Sequence, residues 1–249
     1  MFEPFINLAN KEDSSILKME AVVAWKKTQN HYNFNSLPKT AVLTAFAKKK
    51  SLFPNLKQKR LRGIKGDLFL ESNRFVFCYG CSHGAAHIVG LCEELRALGV
   101  SQFIFIGFAG RLTSELQEGD LFYLDATFSG TGTSYYYDNN ELVSPENKIL
   151  YDQLNTNNRI PKTTGWSTDA PFRETNALKK YYVEKGAQVV EMESAAIYAF
   201  ANFYGLQASC YVITSDILAD EWVPPTNFSK LIQKEQSFIA DIKNSLWNL

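Results

Sequence analysis

Residues 75–106 read FVFCYGCSHGAAHIVGLCEELRALGVSQFIFI, and the hydrophobic period changes twice within them. Phe75 to Tyr79 is an apolar run of strand length, interrupted by Gly80 and Gly84. Ile88, Leu91, Cys92, Leu95 and Leu98 then recur at helical spacing, with Glu93, Glu94 and Arg96 on the other side. Gly99 supplies the helix stop, and Gln102 to Ile106 is short and apolar again. Strand, glycine turn, helix, glycine stop and strand form a βαβ unit, which predicts parallel strands joined by a right-handed crossover.

On the N-terminal side, Thr40 to Thr44, Asp67 to Leu70 and Arg74 to Tyr79 predict strands that open an α/β sheet. Asp120 to Phe128 predicts another, followed by a loop rich in Gly, Ser, Tyr and Asn from Ser129 to Glu146. The same grammar returns at Gln188 to Val190 (strand), Ser194 to Tyr204 (an Ala-rich helix), Gly205 (stop) and Ser209 to Thr214 (a strongly apolar strand), predicting a second βαβ unit. The first 35 or so residues predict a polar, helical lead-in whose Ala21 to Trp25 pack one face onto the body. No solenoid-period repeat or composition break marks a second domain, so residues 1–249 are expected to form one α/β domain with 1–37 as a helical N-terminal extension.

The bulk numbers narrow the partners. With 45% of 249 residues hydrophobic, the chain can bury a substantial single core. Its 26 Lys and Arg balance 26 Asp and Glu, so no global field favours nucleic acid or an anionic membrane, and the expected partner is a small molecule. Met1 to Asn10 lack a basic segment followed by an apolar run, and no stretch of about 18 apolar residues is present, which predicts a cytoplasmic protein. Cys78 and Cys81 have C-x-x-C spacing, but no second pair or spaced His completes a zinc set, so no metal is expected.

Ligands of open α/β sheets collect beyond the carboxyl ends of the strands, where loops are free to carry polar groups. Glu191, Met192 and Glu193 fall where a strand hands over to its helix, and Asp216 falls just past the next strand. Two carboxylates from neighbouring parallel strands are therefore expected to face one pocket. Each also has a structural reading: Glu193 as a first-turn acid complementing a helix dipole, and Asp216 as a cap in Thr214-Ser215-Asp216.

Val189 to Ala196 (VVEMESAA) and Ile213-Thr214-Ser215-Asp216 together resemble the signature of the nucleoside phosphorylase and nucleosidase superfamily. Gly107-Phe108-Ala109-Gly110 resembles its Gly-rich turn, Glu118-Gly119-Asp120 the opening of its next strand, and Gly132 to Tyr135 and Ser167 to Thr175 two loops of its phosphorylase-like branch. The resemblance covers roughly Lys39 to Trp222. It implies a three-layer αβα fold with a central, largely parallel mixed sheet, a homodimer or trimer of dimers, and cleavage of a nucleoside N-glycosidic bond. Inorganic phosphate would be co-substrate, with no metal or organic cofactor. By resemblance Glu193 holds the ribose hydroxyls, Met192 packs beneath the sugar, Glu191 joins them in binding the substrate, and Asp216 donates a proton to purine N7. Phe172 would stack on the base, with Arg173 contacting it or ordering the loop. Such roles fit a reaction that builds positive charge on the sugar and negative charge on the leaving base.

The acceptor site departs from the family pattern. Phosphorylases hold phosphate with an arginine just before the Gly-rich turn and a hydroxyl within it, where this chain carries Phe105 and Phe108. The anion would have to rely on backbone N–H groups around Gly80, Ser82 and Gly84, with Lys48 or Lys49 from the Lys48 to Lys50 triplet; Arg111, His83 and His87 are further candidates. Nucleosidases carry a water-activating glutamate in the loop after their first strand, and Ala45-Phe46-Ala47-Lys48 has no acid there. Phosphorolysis is the favoured expectation; hydrolysis on the same fold and nucleoside binding without turnover are the alternatives.

Overall fold

A computed structural model describes residues 13–44, 59–61, 67–71, 74–81, 83–155 and 159–247. The first half of the chain carries α1 (Met19–Thr28), β1 (Thr40–Thr44), β2 (Lys59–Leu61), β3 (Asp67–Glu71), β4 (Phe75–Tyr79), α2 (Ala85–Ala97) and β5 (Gln102–Arg111). Then follow β6 (Leu121–Gly130), α3 (Gly132–Tyr135), β7 (Leu142–Val143), α4 (Ile149–Leu154) and β8 (Lys162–Thr168). After a 3-10 turn (Pro171–Arg173) come α5 (Asn176–Glu184), β9 (Val189–Glu191), α6 (Ser194–Phe203), β10 (Gln207–Leu218), β11 (Trp222–Val223) and α7 (Phe228–Trp247).

All the described strands join one mixed sheet with helices on both faces, the α/β layering expected from the sequence. Ala41, Leu43, Val76, Cys78, Phe103 and Phe105 point into a core shared with α2 and α6. Their strand neighbours Val42, Phe75, Phe77, Ile104 and Ile106 point the other way, into a core shared with α4 and α7. Burial on both faces explains why these strands read as unbroken apolar runs rather than alternating ones. The second core is aromatic: Tyr123 stacks on Tyr151 with ring centroids 3.9 Å apart, and Tyr211 meets Phe238 edge-on at 5.0 Å. Each fully buried ring or branched aliphatic side chain contributes about 1.5–3 kcal/mol of transfer free energy.

The first βαβ unit is present as predicted in its parallel sense, with β1 lying between β4 and β5. The second is not. β9 pairs antiparallel with β5, whereas β10 pairs parallel with it on the other side, so β9 and β10 are separated by β5 and run in opposite directions. The sequence grammar was correct for each element, but three-residue β9 is captured by the end of the long β5 and not by the strand that follows it. From β10 the sheet continues antiparallel to β6, parallel to β8, parallel to β9 and back to β5, so five strands close a ring.

Helix α7, in a segment the sequence reading left without chemistry, lays Leu231, Phe238, Ile239 and Ile242 on the aromatic core. On the same face sits Glu235, only 1% exposed, accepting a hydrogen bond from the Thr44 hydroxyl at the end of β1. Burial pushes its carboxyl up to about 7. The folded value lies above the unfolded one, so the native state holds the proton more tightly and stability falls as pH rises from about 4.5 to about 7. Glu235→Gln removes the ionisation, and its oxygen still accepts from Thr44. The variant should therefore be more stable than wild type by about 1–3 kcal/mol at pH 8 and indistinguishable from it at pH 4. Urea midpoints across that range test this; curves that track together would refute it.

The four cysteines are buried thiols, and the Cys81 sulfur donates to the Cys78 carbonyl. Among the described residues, no three His, Cys, Asp or Glu side chains gather as metal ligands, and no helix is long and apolar enough to cross a membrane.

Candidate active site

A cleft of about 680 Å³ opens where β5, β9 and β10 converge, a volume within the range of small-molecule sites. Gly110 of β5 lies at the crossing. A Cβ there would stand 2.9 Å from Leu218, 3.3 Å from Val190 Cγ1 and 3.4 Å from Asp216 Oδ2. Leaving out that side chain lets the strands on either side of β5 close in, which brings Glu193 and Asp216 to one cleft. The two carboxylates thus share a pocket as expected, but they arrive from opposite flanks of β5 and not from neighbouring parallel strands.

Glu193 is 6% exposed and stands immediately before α6. Its Oε1 accepts from the Gly84 N–H at 2.7 Å, at the start of α2, and its Oε2 accepts from the Met192 N–H at 3.2 Å. The N-terminal end of α2 therefore faces this carboxylate, and the second N–H comes from the turn between β9 and α6. Burial, and then the neighbouring Glu191, push Glu193 up to about 7 despite these bonds. Glu191 lines the same cleft but turns its carboxylate inward. Its Oε2 accepts from the N–H groups of Glu193 (2.8 Å) and Ser194 (2.7 Å), and its Oε1 accepts from the Ser167 hydroxyl. Ser167 in turn accepts from the Ala195 N–H at 2.9 Å, so Glu191 and Ser167 together satisfy three of the four orphan donors of the α6 N-terminus. Glu191 was expected on the substrate; its oxygens instead cap the helix that carries Glu193.

Asp216 accepts from the Ser215 hydroxyl at Oδ1 and from the Trp222 indole N–H at Oδ2, both at 2.7 Å. Trp222 lies on two-residue β11 and is 64% exposed, so this is a surface donor that an incoming ligand can replace. Arg111, a candidate for the anion, is engaged elsewhere: its guanidinium donates to the carbonyls of Asp216 (3.3 Å) and Leu116 (3.1 Å) and so anchors the Asp216 backbone.

Met192 and Phe172 line the cleft, whereas Arg173 is exposed and outside its lining. Phe172 is 98% exposed on its 3-10 turn, so its ring stands in solvent at the mouth and is not packed over the interior. Two residues on, half-buried Glu174 also lines the cleft, and burial and then the Asp216 charge push its carboxyl up to about 7. Glu174 and Trp222 were not singled out by the sequence reading. Both lay within or at the end of segments it had marked, but nothing local ties either side chain to Asp216.

On the acceptor side Phe105 and Phe108 line the cleft, and Phe108 packs against Phe228 from α7 with centroids 5.5 Å apart. The Phe105 ring fills the space a Cβ on Gly107 would need, with closest approach 2.9 Å. Gly84, expected among the anion donors, gives its N–H to Glu193 instead. Gly80 holds the left-handed conformation (φ 62°) that the chain needs to turn out of β4. Ser82 and the Lys48 to Lys50 triplet lie outside the described residues. His83 lines the cleft and His87 is exposed. Lys179 of α5, not considered from sequence, also lines it.

The family model described as "Phosphorylase superfamily" matches residues 43–244. An uncharacterized protein of Acanthamoeba polyphaga mimivirus is 27% identical over 140 residues, 54% of this chain and 55% of its own length, so the match spans about half of that relative. A DeoD-type purine nucleoside phosphorylase of Clostridium perfringens is 24% identical over 185 residues, 70% of this chain and 79% of its own. Among solved structures, uridine phosphorylase from Vibrio fischeri ES114 superposes with a TM-score of 0.65 at 16% identity, covering 85% of this chain and 90% of that one.

Proposed function

The chain belongs to the phosphorylase superfamily, and from that premise we propose that it cleaves the N-glycosidic bond of a purine nucleoside and transfers the ribosyl group to inorganic phosphate. The observation that carries the reading is the meeting of buried Glu193 and half-buried Asp216 across one cleft. Glu193, held by two backbone N–H groups, grips the ribose hydroxyls and balances the charge that grows on the sugar. Met192 packs against the sugar, and Asp216 passes a proton to purine N7 as the bond breaks, so the base leaves neutral. A purine is favoured over a pyrimidine because N7 gives Asp216 something to protonate. Phe172 closes onto the base from the mouth. Lys179, which lines the cleft, is the group proposed to meet phosphate.

Phe105 and Phe108 favour a second reading, hydrolysis, because two apolar rings stand where the phosphorylase pattern has a cation and a hydroxyl. Base release from adenosine, inosine, guanosine, uridine and methylthioadenosine, each with and without phosphate, separates the two. Phosphate-dependent release of a purine with ribose 1-phosphate as product is the expected result. Free ribose formed at the same rate without phosphate would replace phosphorolysis with hydrolysis, and no release from any nucleoside by the folded protein would overturn both.

A further inference from the structure

We propose that Glu174 is a specificity-determining residue that reads the 6-substituent of the purine while Asp216 engages N7. The inference rests on the nucleoside reading and deepens it. Glu174 stands in the same cleft as Asp216, close enough to feel its charge, and no hydrogen bond to its carboxyl is found among the described residues. Asp216, by contrast, has a donor on each oxygen. A half-buried carboxyl without a partner in a ligand cleft is a group whose partner arrives with the ligand.

The chemistry of the base decides which atom it meets. Beside N7 in the purine ring are C8, which bears only a C–H, and C5, next to the carbon that carries the 6-substituent. A carboxyl placed alongside the group at N7 therefore finds a hydrogen-bonding atom in one direction only, the 6-amino group of adenine or the 6-oxo group of hypoxanthine and guanine. Ionised Glu174 accepts from a 6-amino group, and protonated Glu174 donates to a 6-oxo group. Burial and the neighbouring Asp216 push Glu174 up to about 7, so both forms exist near neutrality. The other titratable groups lining the cleft are Asp220 beyond β10, Lys179 on α5, Glu191 and Glu193 around the start of α6, and His83 after β4. Glu193 also titrates near 7. It is assigned to the sugar, which adenine and hypoxanthine both lack, so its protonation does not discriminate between the two free bases.

The test is the binding of free adenine and free hypoxanthine to the full-length protein by calorimetry at pH 6 and pH 8, for wild type, Glu174→Gln and Glu174→Ala. In wild type the ratio of adenine to hypoxanthine affinity should rise about tenfold between the two pH values, a size set by one charge-assisted hydrogen bond gained or lost. Glu174→Gln, whose amide both donates and accepts, should make the ratio independent of pH, and Glu174→Ala should weaken both bases. If Glu174→Ala fails to fold, the isosteric Gln variant still decides the matter. Binding with a pH-dependent ratio that survives in Glu174→Gln overturns this inference alone. Failure of both bases to bind, with no nucleoside cleaved, overturns the nucleoside reading and this inference with it.

Discussion

Asp216→Asn is expected to slow purine nucleoside cleavage by about 10²–10⁴-fold, the usual weight of a positioned general acid. Asn keeps the size of the side chain, and its oxygen still accepts from the Ser215 hydroxyl. It has no proton to give N7, so the loss should fall on kcat, while the affinity for a free purine base changes by no more than about threefold, well under the tenfold that 1.4 kcal/mol represents. A substrate whose leaving group needs no proton, such as nitrophenyl riboside, should be nearly unaffected. Wild-type turnover of inosine or adenosine by the variant would remove Asp216 from the mechanism.

Glu193→Gln is expected to cost about 10²–10³-fold in kcat/KM, because it removes the negative charge that faces the oxocarbenium-like sugar but keeps the shape of the side chain. The effect should depend on pH. With Glu193 pushed up to about 7 by burial and by Glu191, a large share of the free protein carries it protonated at neutrality. The kcat/KM of wild type should therefore rise between pH 6 and 8 as the carboxylate forms, and the Gln variant should lack that rise. A pH profile unchanged by the substitution would mean that the ionised form of Glu193 is not the working one.

The parts of the molecule that were legible in the sequence are those whose causes are local. The glycine turn after Phe75 to Tyr79, the helical stripe from Ile88 to Leu98 and the Gly99 stop each carry their own signal, and all three formed as read. Asp216 and Glu193 meet in one cleft although β9 and β10 run in opposite directions, because three-residue β9 meets β5 only at its last residues, level with Asp216 on β10. The pairing of β9 was not legible, since three residues cannot declare their partner and the choice rests on an absent side chain at Gly110, far away in the chain. The inward turn of Glu191 was hidden for the same reason. Its role depends on Ser167 of β8, which the sequence does not tie to it. Helix α7 was missed although Leu231, Phe238, Ile239 and Ile242 follow a helical stripe, and with it went Phe228 in the cleft wall and Glu235 beneath the end of β1.

The five-strand ring sets an order of assembly. β5 is the first of its strands to leave the ribosome and β10 the last, and the ring closes only when β10 inserts between β5 and β6. Such a closure joins distant parts of the chain, which slows folding and leaves the late strand without its docking site until everything between has been made. Glu193 comes before that strand and Asp216 sits on it. A chain that stops between β9 and β10 can therefore hold four of the five ring strands and still be chemically silent, because Asp216 and the cleft wall at Trp222 and Phe228 come only with β10 and the segment after it.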